Sequence, residues 1–348
     1  MSERGGGAGP AIESAIDAAG GAIAFERFME LALYGDGGFY TRADETGAAG
    51  RRGDFLTSPE VGPLFGVLLG RALDAEWERL GRPEPFTVVD AGAGQGTLAR
   101  SVAAAAPACG GALRYVAVDR SAAQRARHPA GVESRPDIPQ GPFDGVVVAN
   151  ELLDNLPFRL VVFDAGWREA FVTRDGQGGF AELLSAPLDP APAVLPSRPP
   201  PGARAPLVER AAAWVAGALD QLASGSVIVF DYVRPTTAEL VALGWRRWLR
   251  TYRQHERGAH YLRRPGSQDI TTDVPADQLP PADAVCSQAQ YLARRGLDEL
   301  VEEGRRRWAE AAARPDLAAL RMRSRVREAE ALTDPAGLGG FTVLEWRK

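Results

Sequence analysis

Asp90 stands two residues ahead of Gly92, and Gly92, Gly94 and Gly96 then recur at alternate positions in the stretch FTVVDAGAGQGTLAR. Glycines so spaced let a backbone turn come close to a ligand. A carboxylate at Asp90 is a poor neighbour for a pyrophosphate and a good one for a cationic ammonium or sulfonium. A second acid, Asp119, closes the apolar run of YVAVDRS 23 residues beyond Gly96. There a carboxylate can accept both hydroxyls of a ribose. Asn150, Glu151 and Asp154 come after another apolar run in VVVANELLDNLP. Amides and carboxylates at that point can hold a nucleophile, take its proton or pair with a guanidinium. Purely local readings stand beside these: Asp119 or Ser121 as a helix N-cap, and Glu151 and Asp154 as first-turn acids of a helix that Pro157 ends.

The glycine spacing separates two ligand classes. Dinucleotide folds use Gly-x-Gly-x-x-Gly, whose last glycine lets the helix pack on the sheet. Here that position is Thr97. Nicotinamide oxidoreduction is therefore the weaker expectation.

These residues need strands ending in tight turns to hold them, and the sequence supplies such strands. Apolar runs at Phe86 to Asp90, Leu113 to Asp119, near Val132, Phe143 to Ala149 and Ser226 to Tyr232 alternate with helical patterns, which predicts an α/β, doubly wound, Rossmann-like sheet. Ligands of such sheets lie at the carboxyl ends of the strands, so Asn150 and Glu151 are expected at the mouth of the cleft. A helical prelude precedes the sheet. Phe25, Phe28, Met29, Leu31 and Ala32 share one helix face, and Leu64, Phe65, Leu68, Leu69, Leu73 and Trp77 share another. The run FRLVVFDAGWREAFVTRDGQGGFAELL alternates like hairpins, and the proline-rich segment after it reads as a loop. The expected organisation is a flexible stretch 1–22, a helical segment 23–84, a core of 85–164 and 207–235, an insertion 165–206, and a cap 236–348 whose last strand returns to the core.

Composition bounds the function. The formal net charge of −5 disfavours a general nucleic-acid binder. The basic and aromatic run Arg246 to Arg264 reads as the solvated face of a cap in preference to an RNA surface. Two distant cysteines, Cys109 and Cys286, offer neither a disulfide framework nor a metal clamp, and His255 and His260 lack ligating neighbours, so no metal is expected. The N-terminus lacks the basic and apolar regions of a signal peptide, and no apolar run approaches the roughly 20 residues that span a bilayer. A cytoplasmic protein without a membrane partner is the expectation.

Strand, Asp90, Gly-x-Gly-x-Gly, helix, strand and Asp119 together resemble the S-adenosylmethionine site of class I methyltransferases. Further blocks narrow the likeness: FMELALYGDGGFYTR, GDFLTSPEVGPLFG, ANELLDNLP, TYRQHERGAHYLRRPGSQDIT and SQAQYLARRGL occur in the order of the MidA family. That resemblance implies S-adenosylmethionine as cofactor, with Gly92, Gly94 and Gly96 near its methionine part, Asp119 on the ribose and Asp137 near the adenine. It implies that Ser58, Pro59 and Glu60 of TSPE close over the cofactor and that Gln268 to Thr271 form a family block in the cap. The implied acceptor is a protein arginine, with a small-molecule O- or N-methyltransferase and a non-catalytic assembly factor as alternatives. Read locally, Ser58 is an N-cap and Pro59 a first helical residue. Val233, where the family usually has glycine, and the proline-rich insertion depart from the pattern, and both bear on the acceptor more than on the cofactor.

Overall fold

The computed structural model describes residues 7–41, 57–254, 256–314 and 316–348. The chain divides into two compact units. A core unit comprises Leu56–Glu151, Ala218–Asp231 and Ala282–Lys348, and a second unit comprises Met1–Phe55, Leu152–Gly217 and Tyr232–Pro281.

In the core unit the valine-rich runs become strands of one seven-stranded sheet. Its order is Ala284–Ser287, Thr342–Arg347, Leu222–Asp231, Phe143–Asn150, Phe86–Ala91, Leu113–Val118, Glu133–Arg135. Every residue of Phe86–Ala91 is buried, as a strand covered on both faces requires. The strands from Leu222–Asp231 to Glu133–Arg135 pair in parallel, while Thr342–Arg347 runs antiparallel to both its neighbours. From Phe86–Ala91 the chain builds outward to one side and then returns to build on the other. This reversal sets Ala91 beside Ala149, so the turn after one strand and the Asn150–Glu151 step after the other share the carboxyl edge. Leu64, Phe65, Leu68, Leu69 and Leu73 of the helix Pro63–Arg79 pack in one cluster with Val88, Val146, Val148 and Phe230.

The second unit is mainly antiparallel. Trp167–Arg174 pairs with Ile23–Ala24, Arg159–Phe163 and Phe180–Pro187, and Arg204–Leu207 extends the sheet beyond Arg159–Phe163. These are the expected hairpins. Leu249–Arg253 pairs with Glu256–Arg257 and Asp269–Thr272 in a smaller sheet. The helix Phe25–Tyr34 buries all five apolar residues expected on its face.

Two features differ from the sequence-based organisation. Within the stretch 1–22, expected to be flexible, Gly9–Ala18 is a helix that buries Ile12 and Ile16, an i, i+4 pair stacked on one side. The insertion and cap also do not form separate blocks. The second unit takes in Leu152–Gly217 and Tyr232–Pro281, whereas the whole chain from Ala282 onward, and not its last strand alone, joins the core, where six residue pairs register Thr342–Arg347 against Leu222–Asp231. No helix of the described residues is long and apolar enough to cross a membrane.

Candidate cofactor and acceptor site

The glycine turn has the backbone its residue types permit. Gly92, Gly94 and Gly96 have φ of 75°, 54° and 76°, in the region that favours glycine. A Cβ added at Gly94 would meet nothing within 4 Å, whereas one at Gly96 would lie 2.8 Å from Pro129 Cδ. Gly94 thus leaves room above the turn, and Gly96 lets the chain pack. Asp119 ties the turn to the next strand: its Oδ2 accepts from the Gly94 N–H at 2.9 Å and its Oδ1 from the Ser121 N–H at 2.8 Å. Ser121, not Asp119, caps the short helix Ala122–Arg125. His128 braces the other side, with Nε2 3.0 Å from the Gly94 carbonyl and Nδ1 2.8 Å from Ser134 Oγ. Its pKa is lowered, chiefly by burial, which favours the neutral ring. No motif or spacing in the sequence marks this histidine.

Several expected cofactor residues behave differently from one another. Asp90 is 3% exposed and accepts from the Tyr115 hydroxyl at 3.0 Å. Burial pushes its carboxyl up to about 7, against the pull of the Tyr115 hydroxyl. Burial raises Asp119 to about 6, against the pull of its two backbone donors. Asp137 lies exposed in the loop after Glu133–Arg135. Thr57, not Ser58, is the N-cap of the short helix Ser58–Val61, which contains Pro59. The buried Ser58 hydroxyl donates instead to Gln288 Oε1 at 2.9 Å, which commits it to packing. Glu60 accepts from the Thr97 hydroxyl at the start of the helix after the glycines.

At the neighbouring strand end Asn150 Nδ2 donates to Glu151 Oε1 at 3.1 Å, and the Glu151 N–H donates to the Phe230 carbonyl at 2.8 Å. Glu151 has φ of 52°. A non-glycine residue is uncommon there, and such strain collects at functional sites. Asn150 Oδ1 is buried and has no hydrogen-bond partner among the described residues.

Asp154 belongs to the second unit. The helix start of the local reading is only a 3₁₀ turn, Leu153–Asn155, because Pro157 and the strand from Arg159 take over at once. Asp154 is buried and accepts from the Thr271 hydroxyl. Next to it in sequence, Asn155 Nδ2 donates to Asp269 Oδ1 at 3.0 Å, and the Tyr40 hydroxyl donates to that same oxygen at 3.1 Å. Burial raises Asp154 to about 6 and Asp269 to about 7, and each carboxylate works against a second acid nearby. Arg250 pairs with Asp273 in the same unit. Gln268 donates to the carbonyls of His260 and Arg263, fixing the basic hairpin. Asp269 itself begins the fully buried strand Asp269–Thr272. Sequence patterns do not single out Tyr40, Asn155, Arg250 or Asp273, although Tyr40 and Asn155 lie inside recognised blocks. His255 and residues 42–56 lie outside the described residues. Among the described residues no group of three or more His, Cys, Asp or Glu is arranged to hold a metal.

The donor and acceptor set of the core unit fits S-adenosylmethionine. Open space stands above Gly94, Asp119 ends its strand, and an unpartnered amide oxygen waits at the adjacent strand end.

Comparisons with known proteins agree. Residues 68–292 match a family described as "Putative S-adenosyl-L-methionine-dependent methyltransferase". A superfamily member from Burkholderia thailandensis, solved bound to S-adenosyl-homocysteine, superposes with a TM-score of 0.83 at 29% identity, covering 98% of this chain and 92% of that one. A native structure of a superfamily protein from the same organism gives 0.80 at 27% identity, over 98% and 91% of the two chains. The mitochondrial protein arginine methyltransferase NDUFAF7 homolog of Drosophila melanogaster is 44% identical over 77 residues, 22% of this chain and 17% of that protein. The human NDUFAF7 protein is 43% identical over 61 residues, 18% and 13%. The alignments to these curated relatives thus span under a fifth of their length. The chain belongs to the MidA family of S-adenosylmethionine-dependent methyltransferases.

Proposed function

We propose that this methyltransferase acts on an arginine side chain of a protein, with Glu151 receiving the proton that the acceptor nitrogen gives up. The observation that carries the reading is Glu151 itself: a carboxylate at the carboxyl edge of the sheet, beside the strand that feeds the glycine turn, in a left-handed backbone conformation. The names of the curated relatives support a protein acceptor.

S-adenosylmethionine supplies a methyl carbon made electrophilic by its sulfonium. The chain's task is to align and desolvate the reactants and to manage charge. Gly92, Gly94 and Gly96 bring backbone close to the ligand, and Asp119 offers its carboxylate to the ribose. Asp137, in the loop after its strand, and Glu60, bonded to Thr97 from the short helix Ser58–Val61, add polar groups to the same unit. A guanidinium must lose a proton before its nitrogen can attack. Glu151 can pair with the cation first and accept that proton afterwards, and the Asn150 amide fixes one of its oxygens. Asp154 supports the segment after Glu151, through Thr271.

The test is methyl transfer from radiolabelled S-adenosylmethionine into a lysate of cells lacking this protein, comparing wild type with Glu151→Gln. Label recovered as methylarginine in a protein band, and reduced about 100-fold or more in the variant while the cofactor still binds, supports the reading. Label confined to small molecules moves the acceptor to a metabolite. Saturable cofactor binding with no transfer at all favours a binding role.

A further inference from the structure

At the antiparallel edge of the core sheet, far in sequence from the glycine turn, lies a cavity of about 190 Å³ lined by Cys286, Tyr291, Arg294, Arg295, Glu345 and Arg347, among others. Its polar groups are unevenly matched. Glu345 and Arg347 pair at 3.0 Å, and the Arg347 N–H donates to Asp283. Arg294 and Arg295 have no carboxylate partner among the described residues. Arg295 lies over the Tyr291 ring, its Cζ 4.9 Å from the centroid, and this orients the guanidinium. Arg295 Nε and the Tyr291 hydroxyl are both buried, and although the Arg295 guanidinium lies close enough to act on the phenol, neither atom makes a hydrogen bond of normal geometry among the described residues. Tyr291 is only 3% exposed, and its ring is fixed edge-on against Phe230 at 5.2 Å. A buried donor left unmatched costs free energy on the order of 1–3 kcal/mol, so two beside one cavity call for an occupant.

The donor set says what kind. Guanidinium groups only donate, the phenol can donate, and the one carboxylate is already matched by Arg347. The carbonyls of Arg295 and Gly296, which would repel an anion, are covered by Arg71 Nη1 at 3.0 and 3.3 Å. The volume is below that of pockets for whole drug-sized ligands, which start at about 300 Å³, and suits a single anionic group. We propose that this cavity binds a phosphate group, free or as a phosphate monoester, through Arg294, Arg295 and the Tyr291 hydroxyl, at a site separate from the methyl-transfer chemistry.

Phosphate binding here is independent of which acceptor is methylated. Its test is thermal unfolding and calorimetric titration of the whole chain with inorganic phosphate, with chloride at matched ionic strength as control. A phosphoserine peptide and its unphosphorylated form separate a free anion from a peptide-borne one. Expected are saturable phosphate binding, an upward shift of about 2–4 °C in the unfolding midpoint, and at least a tenfold loss of affinity in both Arg294→Gln and Tyr291→Phe. Tyr291→Phe keeps the ring packing, so its loss of binding cannot be blamed on misfolding. Equal responses to phosphate and chloride, or unchanged binding in both variants, would overturn the proposal.

Discussion

The glycine turn of the core unit and the buried polar cluster of the second unit both centre on carboxyls that burial has raised, yet they are built in opposite ways. At the turn, Asp119 is held by two backbone N–H groups, from Gly94 and Ser121. In the cluster, Asp269 is held chiefly by side chains, the Tyr40 hydroxyl and the Asn155 amide, with one backbone N–H from Ile270. Backbone donors come with the turn whatever the neighbouring side chains are. Side-chain donors must be delivered from elsewhere by the fold: Tyr40 and Asp269 are 229 positions apart. The turn should therefore be sensitive to substitutions through ligand binding, and the cluster through stability and its pH dependence.

The largest expected effect is at the turn. Asp119→Ala should weaken binding of S-adenosyl-homocysteine, measured by calorimetry, by about 100-fold, since it removes a charged acceptor and frees two N–H groups. Normal binding would remove Asp119 from the site.

The glycines should then separate binding from folding. Gly96→Ala is expected to cost about 2 kcal/mol or more in denaturant unfolding, from positive φ and the close approach of Pro129 together. Gly94→Ala should cost only about 1 kcal/mol, from backbone strain, while its methyl intrudes on the open space and lowers cofactor affinity at least tenfold. If Gly94→Ala binds the cofactor normally, the space above the turn is not where the ligand sits.

For the cluster, the raised carboxyl sets the sign of the pH effect. A folded Asp269 that titrates near 7 holds its proton where the unfolded residue has lost it, so between about pH 4 and 7 this group's contribution to stability falls as pH rises. Asp269→Asn keeps an acceptor for Tyr40 and should flatten that slope, by at most about 1.4 kcal/mol per pH unit for one proton. An unchanged slope in urea unfolding across that range would place the titration elsewhere.

The smallest effect belongs to Tyr40→Phe. Asp269 Oδ1 keeps its donors from Asn155 and Ile270, so the loss in urea unfolding should be about 1 kcal/mol, with cofactor affinity unchanged.

What the sequence determined by itself was whatever short range enforces. Alternating glycines after an apolar strand and Asp90 require a tight turn, and the turn formed. The helix faces of Phe25–Tyr34 and Pro63–Arg79 follow from periodicity, because burial selects the residues spaced three and four apart. Only the tertiary structure decided where polar side chains ended. Asp90, read as a charge facing a ligand, lies against Tyr115 because strand register brings a phenol from the adjacent strand over it. Ser58, read as a cap, meets Gln288, 230 residues later. Asp154 and Glu151, three residues apart in one motif, fell into different compact units because the chain turns at Leu153–Asn155 instead of continuing as a helix. Hydrogen-bond partners chosen across such distances depend on packing of the whole chain, which no local pattern encodes.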